Sequence, residues 1–371
     1  MRLFDIDSYI KEFDATVISA EEKENFYLIE LDKTAFFPEG GGQKSDKGFL
    51  NDVEVFDVQE KDGRIFHYTR SPLEISTAVH GVLNWKERFY KMQNHTAEHI
   101  ISGLVYKKFG YDNTGFHLGD DYVTLDFNGP ISQKEIEEIE LLANETASES
   151  HPIKAWYPED PLKFSYRSKL DLKENVRLVE IENVDLCACC APHVKNTSEV
   201  GMIKVISMEK YKGGVRILLK SGLFAFKTLD LYQKTLKNIS SLLSLPPEET
   251  FSGVKKLMDK ISELNYENNG LKKELLKNSL KEHSLPYIFV DSPDLLKDAV
   301  NILSKNHSFC GAFSGNDTDG YRFMIFTLDI DKTRVQLKEK LNASGGGRDN
   351  MIQGLLKAEK SSIENFFIAN S

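Results

Sequence analysis

The chain is short of cysteine, tryptophan and net positive charge, and it has no long apolar run. Four of its 371 residues are cysteine and two are tryptophan. Four thiols are too few for the disulfide framework of a small secreted scaffold. Three of them, Cys187, Cys189 and Cys190, crowd together, which points to metal or catalytic chemistry in a reducing, cytoplasmic setting. No stretch approaches the roughly 18 consecutive apolar residues of a membrane span. The opening MRLFDIDSYIKEFD is acidic and lacks an uninterrupted apolar core, so a signal peptide is not expected. The formal net charge is -10, which weighs against a broad basic nucleic-acid surface. The acidic excess sits in residues 1–223, however, while 224–284 are slightly basic and 285–371 nearly neutral. A local patch can still meet phosphate.

What is present reads as folded globular material, long enough for two or three domains. Strand-like runs lie at 26–32, 53–59, 64–69 and 78–85, with KDG at 61–63 as a tight hairpin turn. They predict a small antiparallel β domain over 1–85, interrupted by the Gly-rich loop FFPEGGGQKSDKG (36–48). From Trp85 a helical period runs to Gly110, a C-cap. A strand is expected at 121–127. Ser132 and Glu135 form a capping box opening a helix at 133–150. Strand at 176–182 and a hairpin at 201–222 complete an α+β domain over 86–222.

Residues 223–283 change character. Leu229, Tyr232, Leu236, Ile239 and Leu243 are spaced three and four apart. After SLPPEE the spacing resumes at Val254, Leu257, Ile261, Leu264, Asn268, Leu271 and Leu275. This is an a/d seam with one Asn, broken where proline cannot continue a helix. It predicts a coiled-coil-like helical hairpin arm, or a pair of helices that also recruit another chain. Residues 284–371 predict a small α/β domain, with strands at 286–291, 309–313 and 321–329, helices at 293–305 and 333–342, and a second Gly-rich loop, NASGGGRDNMIQG (342–354).

The chemistry concentrates in two short pairs. NHTAEHIISG (94–103) places His95 and His99 on one helix face. DLCACCAPHV carries Cys189 and His193, again four apart. Imidazole and thiolate are donors that Zn²⁺ prefers, and two such pairs can close one tetrahedral site, one Zn²⁺ per chain. Cys190 to His193 is also a workable ligand spacing, with Cys187 and Cys190 otherwise small buried residues beside the site. H-T-A-E-H also fits the inverted zinc-peptidase pattern H-x-x-E-H, with Glu98 as base. Four protein ligands, finally, suit a purely structural zinc, because catalytic sites usually keep a position open.

Four motifs, TAFFPEGGGQKSDKG, QNHTAEH, GFHLGDDYVTLDF and CCAPHV, resemble in order and spacing the editing domain of alanyl-tRNA synthetase and its freestanding relatives, the AlaX proteins. NASGGGRDNMIQG is similar to the Gly-rich signature of that synthetase's C-terminal domain, so the likeness extends to the long AlaX form. It implies a hydrolase that deacylates tRNA(Ala) carrying a wrong amino acid, chiefly serine and also glycine, without making alanyl-tRNA. It implies His95, His99, Cys189 and His193 as zinc ligands, and Thr114 as a serine-sensing side chain. Gly41, Gly42 and Gln43 are expected to approach the terminal nucleotide. Glu98 and His117 are further polar candidates for catalysis. A homodimer through the arm and C-terminal domain is expected, with no membrane partner. Cys190-Ala191-Pro192 replaces the family's usual Gly-Gly-Thr, which leaves the ligands intact but alters the pocket. The competing readings are a non-catalytic tRNA-binding protein with a structural zinc, and a zinc peptidase.

Overall fold

The N-terminal β domain closes on itself. In the computed structural model, which describes residues 1–119, 122–168 and 175–370, a one-turn helix α1 (Leu3–Ile6) precedes six strands. These are β1 (Glu12–Glu22), β2 (Tyr27–Leu31), β3 (Gly48–Leu50), β4 (Val53–Lys61), β5 (Arg64–Thr69) and β6 (Ala78–Leu83). They pair antiparallel in the order β1-β2-β5-β4-β3-β6, with β6 returning to β1, so the barrel has no open edge. Phe13, Ala15 and Val17 of β1 point inward between exposed Glu12, Asp14 and Thr16. This strand was not among those expected from sequence. Its acidic residues and alanine are weak strand formers, although the two-residue period is there. The β4–β5 turn does sit at Asp62–Gly63, both with positive φ, as a two-residue hairpin requires.

Helix α2 (Trp85–Phe109) follows. Asn84 caps its first turn by accepting from Glu87 N, and Gly110 ends it in the left-handed conformation. Strands β7 (Asn113–Leu118) and β8 (Val123–Phe127), helix α3 (Gln133–Ser148), and strands β9 (Ile153–Trp156), β10 (Leu178–Ile181), β11 (Asp185–Ala188), β12 (Ile203–Tyr211) and β13 (Gly214–Ser221) complete the region. They form two antiparallel sheets, β12-β13-β8-β7 and β11-β10-β9. The strand expected at 121–127 starts at Val123; Asp120 and Asp121 lie outside the described residues. The capping box at Ser132 and Glu135 is formed. Ile100, Ile101, Leu125, Ile139 and Ile217 share one core between helices and sheet. Gly103 is the point of closest approach: a Cβ there would lie 2.6 Å from Val184 O, so glycine lets α2 settle against the β10–β11 turn.

The chain divides into two compact units, Met1–Leu236 and Lys237–Ser371. Helix α4 (Gly222–Leu243) runs from the first into the second, and α5 (Thr250–Ser279) follows after Pro246 and Pro247. The seam positions Tyr232, Leu236, Ile239, Leu257, Ile261, Leu264, Leu271 and Leu275 are exposed. The second unit also holds β14 (Tyr287–Phe289), α6 (Leu296–Leu303), β15 (Phe309–Asn316), β16 (Gly320–Thr327), α7 (Ile330–Leu341), β17 (Ala343–Arg348), β18 (Met351–Leu356) and α8 (Lys360–Ala369). Its sheet order is β14-β15-β16-β18-β17, parallel only between β14 and β15. The stretch 342–354, expected as a Gly-rich loop, is instead the β17–β18 hairpin, and its turn is Asp349–Asn350. Glycines show no side-chain alternation, so only the ladder reveals the strand.

Candidate metal centre

One face of α2 organises the site. Arg88, Lys91, His95 and His99 recur at three- and four-residue intervals and are all buried. Arg88 donates through Nε to Asp46 Oδ2 at 2.8 Å and through Nη2 to Ala35 O at 2.6 Å. Lys91 Nζ donates to Ser45 O. These bonds bind the 36–48 loop to the helix. Within the loop Gly41 and Gly42 take positive φ, and Gly42 O accepts from Leu118 N at 3.1 Å. A Cβ on Gly42 would lie 2.6 Å from the Phe116 ring. The loop is therefore wedged between α2 and β7, and it delivers Gln43 to His95.

The structure brings His95, His99, Cys189 and His193 together, with one donor atom from each within 4.8 Å of the other three. Cys189 Sγ lies 3.5 Å from His95 Nε2 and 3.4 Å from His193 Nε2. Each imidazole is oriented by its other nitrogen. His95 Nδ1 meets Gln43 Oε1 at 3.0 Å, His99 Nδ1 meets Asp185 Oδ2 at 2.9 Å, and His193 Nδ1 meets Thr96 Oγ1 at 3.0 Å. Outer hydrogen bonds of this kind hold Nδ1 and turn Nε2 toward a metal. The donor set and its orientation fit Zn²⁺.

The supporting shell is charged and rigid. Arg167 grips Asp185 with two bonds, at 2.7 and 2.8 Å. Burial opposes ionisation of Asp185, but His99 and Arg167 outweigh it and hold the carboxyl below its ordinary range. Burial likewise opposes the Cys189 thiolate, and the adjoining His95 and His193, which also hydrogen-bond Sγ, overcome it, so the thiol falls well below its usual value. Burial pushes His193 down to about 3, against the pull of Cys189. Arg177 Nη1 donates to Cys189 O at 3.0 Å and Ala191 O at 2.9 Å, fixing the 189–191 turn. Cys187 and Cys190 stand outside the four-donor cluster. Neither is fully buried, and Cys190 is exposed. Burial raises the Cys187 thiol to about 12.

The remaining candidates separate. Gln43 is fully buried, and among the described residues its Nε2 has no hydrogen-bond partner. Thr114 and His117 lie exposed on β7, and the Thr114 hydroxyl donates to Asp126 O at 3.3 Å. The threonine that touches the donor cluster is Thr96. Glu98, a catalytic candidate from sequence, is buried, and accepts from Ser102 Oγ at 2.8 Å and Asn113 Nδ2 at 2.6 Å. Sequence reasoning missed Asp185, Arg167, Arg177 and Asn113. Only Asp185 left a trace, as an acidic residue two positions before the first cysteine.

Comparison with known proteins agrees with this architecture. Residues 176–217, which include Cys189 and His193, match the threonyl and alanyl tRNA synthetase second additional domain. Residues 7–87, the barrel, match tRNA synthetases class II (A). An alanine–tRNA ligase of Methanococcus maripaludis is 30% identical over 95% of this chain and 41% of its own length. An alanine–tRNA ligase of Ignicoccus hospitalis is 28% identical over 98% of this chain and 42% of its own. The chain thus spans about two fifths of these ligases. The alanyl-tRNA editing protein AlaX-L of Pyrococcus horikoshii is 30% identical over 98% of this chain and 96% of its own length. The class is thus one that shares segments with alanyl-tRNA synthetases, and the chain belongs to the AlaX-L family of alanyl-tRNA editing proteins.

Proposed function

We propose that this protein is a hydrolase that releases a wrong amino acid, chiefly serine and also glycine, from tRNA(Ala), acting in the cytoplasm as a guard of translation fidelity. The observation that carries the reading is the convergence of three outward-tethered imidazoles on one thiolate. His95, His99, Cys189 and His193 would hold Zn²⁺, which when bound supplies Lewis-acid polarisation near the ester. The protein's own groups do the rest. The α2 clamp on the 36–48 loop keeps the site from collapsing when the terminal nucleotide enters. Gln43 Nε2 offers a donor to the ester carbonyl, whose oxygen gains charge as water adds. An orphaned buried donor costs about 1–3 kcal/mol, which a bound ester would offset. Thr114 is the proposed serine sensor. A site that hydrogen-bonds a hydroxyl can reject the substrate lacking it, so alanine is spared.

The exposed seam on α4 and α5, together with the C-terminal α/β domain, supports a homodimer in this reading. The test is release of serine from Ser-tRNA(Ala), with Ala-tRNA(Ala) as control and with and without a chelator. Fast release that spares alanine and is lost with zinc supports the hydrolase. tRNA binding without turnover by zinc-loaded protein leaves a non-catalytic tRNA-binding protein with a structural zinc, the reading that four protein ligands favour. Peptide cleavage without serine release leaves a zinc peptidase.

A further inference from the structure

We infer that His193 is the releasable donor of the metal centre, and that His95, His99 and Cys189 suffice to retain zinc. The inference rests on the zinc-dependent reading above and deepens it. A centre that can set one ligand aside has the open position that four protein ligands otherwise deny to a substrate. The partners of the three imidazoles carry the argument. Asp185 Oδ2, 2.9 Å from His99 Nδ1, belongs to a carboxylate gripped by Arg167. Gln43 Oε1, 3.0 Å from His95 Nδ1, is an amide oxygen. Both oxygens only accept, so both place the proton on Nδ1 and leave a lone pair on Nε2 for a metal. Thr96 Oγ1, 3.0 Å from His193 Nδ1, is a hydroxyl. A hydroxyl either accepts or donates. When it donates, His193 Nε2 carries the proton and is no longer a ligand. Among the three imidazoles, His193 is thus the one whose metal-binding tautomer is not enforced by its partner.

The main chain divides the donors in the same way. His95 and His99 stand within the 25 residues of α2. Cys189 is clasped by Arg177: its N–H donates to Arg177 O at 3.0 Å, and its carbonyl accepts from Arg177 Nη1 at 3.0 Å. His193 lies between β11 and the short 3-10 turn at Thr197–Val200, outside helix and strand. Its carbonyl accepts from Ser8 Oγ at 2.8 Å. The ring is 3% exposed, so release is a turn of the imidazole inside the site rather than an exit from it. On the same segment Cys190 is exposed and Cys189 partly so. The side of the centre that carries His193 is therefore also a side that solvent reaches.

The test uses the full chain and reads zinc rather than turnover. Chelator competition gives the Zn²⁺ affinity of wild-type protein, His193→Ala and His95→Ala, with circular dichroism as the check on folding. His193→Ala is expected to keep one zinc per chain, with affinity lower by roughly 10–100-fold, the scale of losing an outer partner. His95→Ala is expected to fall further and to lose stoichiometric zinc. Equal losses in the two variants overturn the inference. Should His193→Ala fail to fold, Thr96→Val and Asp185→Asn decide in its place. Thr96→Val is expected to lower the affinity by less than about tenfold, and Asp185→Asn by roughly 10–100-fold. A loss in Thr96→Val as large as that in Asp185→Asn overturns the inference. Wild-type protein that binds no zinc overturns the zinc reading, and this inference with it. Zinc retained in His193→Ala, with no serine release by wild-type protein, overturns the hydrolase reading alone.

Discussion

Helices α2 and α5 are the two longest helices among the described residues, 25 and 30 residues, and they invert each other. On α2 polar and charged side chains are inside: Arg88, Lys91, Asn94, His95, Thr96, Glu98, His99 and Ser102 are all buried. On α5 apolar side chains are outside: Phe251 is 83% exposed and Leu275 69%. Both patterns violate the rule that burial follows hydrophobicity, and each for its own reason. The buried polar groups of α2 have partners, namely the loop, the outer shell and each other. Six of the exposed apolar groups of α5, Val254, Leu257, Ile261, Leu264, Leu271 and Leu275, lie on one repeating seam, while Phe251, Met258 and Tyr266 lie off it; a contiguous apolar stripe of this kind is what the proposed dimer rests on. Polarity inside is what the candidate site is built from, whereas apolarity outside is what the proposed dimer rests on.

The largest expected effect falls on α2. His99→Ala should abolish stoichiometric zinc and lower serine release by about a hundredfold or more, given that even outer-shell partners are worth 10–100-fold. Metal analysis beside deacylation rates checks it; full activity without zinc would sever the buried polar face from the chemistry. Next comes Arg88→Met, which leaves Asp46 buried without its cation. A cost of roughly 3–5 kcal/mol is expected, read from urea unfolding of the intact chain.

A buried histidine far from any proposed ligand role sharpens the comparison. His67 lies inside the barrel, with Nε2 at 2.8 Å from Thr34 Oγ1 and Nδ1 at 3.0 Å from Ile29 O. Burial lowers it from 6.5 to about 4, outweighing the Ile29 carbonyl bond and the Glu30 charge. The unfolded chain then binds the proton first as pH falls. Its contribution is present in full above pH 6.5 and is lost between 6.5 and about 4, by about 3 kcal/mol. His67→Gln should flatten that part of the pH–stability curve; an unchanged slope would show that the barrel histidine is not held neutral. The smallest effect on the single chain is expected on α5. Leu264→Glu with Leu271→Glu should change its stability by no more than about 0.5 kcal/mol, while sedimentation shifts from dimer to monomer. A large loss in the monomer would mean that the seam is packed within one chain.

Much of this was legible in the sequence. The helix of the two histidines, its Gly110 cap, the Ser132 capping box and the KDG turn follow from local chemistry, which neighbouring residues carry among themselves. The spacing of His95 with His99 and of Cys189 with His193 also marked two pairs that one ion could join. Strand β1 and the Gly-rich hairpin were not read, because acidic residues and glycines hide a two-residue period until a partner strand supplies the ladder. Register decided the cysteines: Cys189 enters the donor cluster, whereas Cys187 and Cys190 stand outside it.

Residue order alone marks which side chains could hold a metal and on which elements they stand. Tertiary structure alone decided what surrounds them. Asp185, Gln43 and Thr96 reach the three imidazoles from separate elements, and Asn113 and Ser102 turn Glu98 inward. Hydrogen bonds between distant segments depend on atoms within about 3 Å in space, and linear order carries no record of that distance.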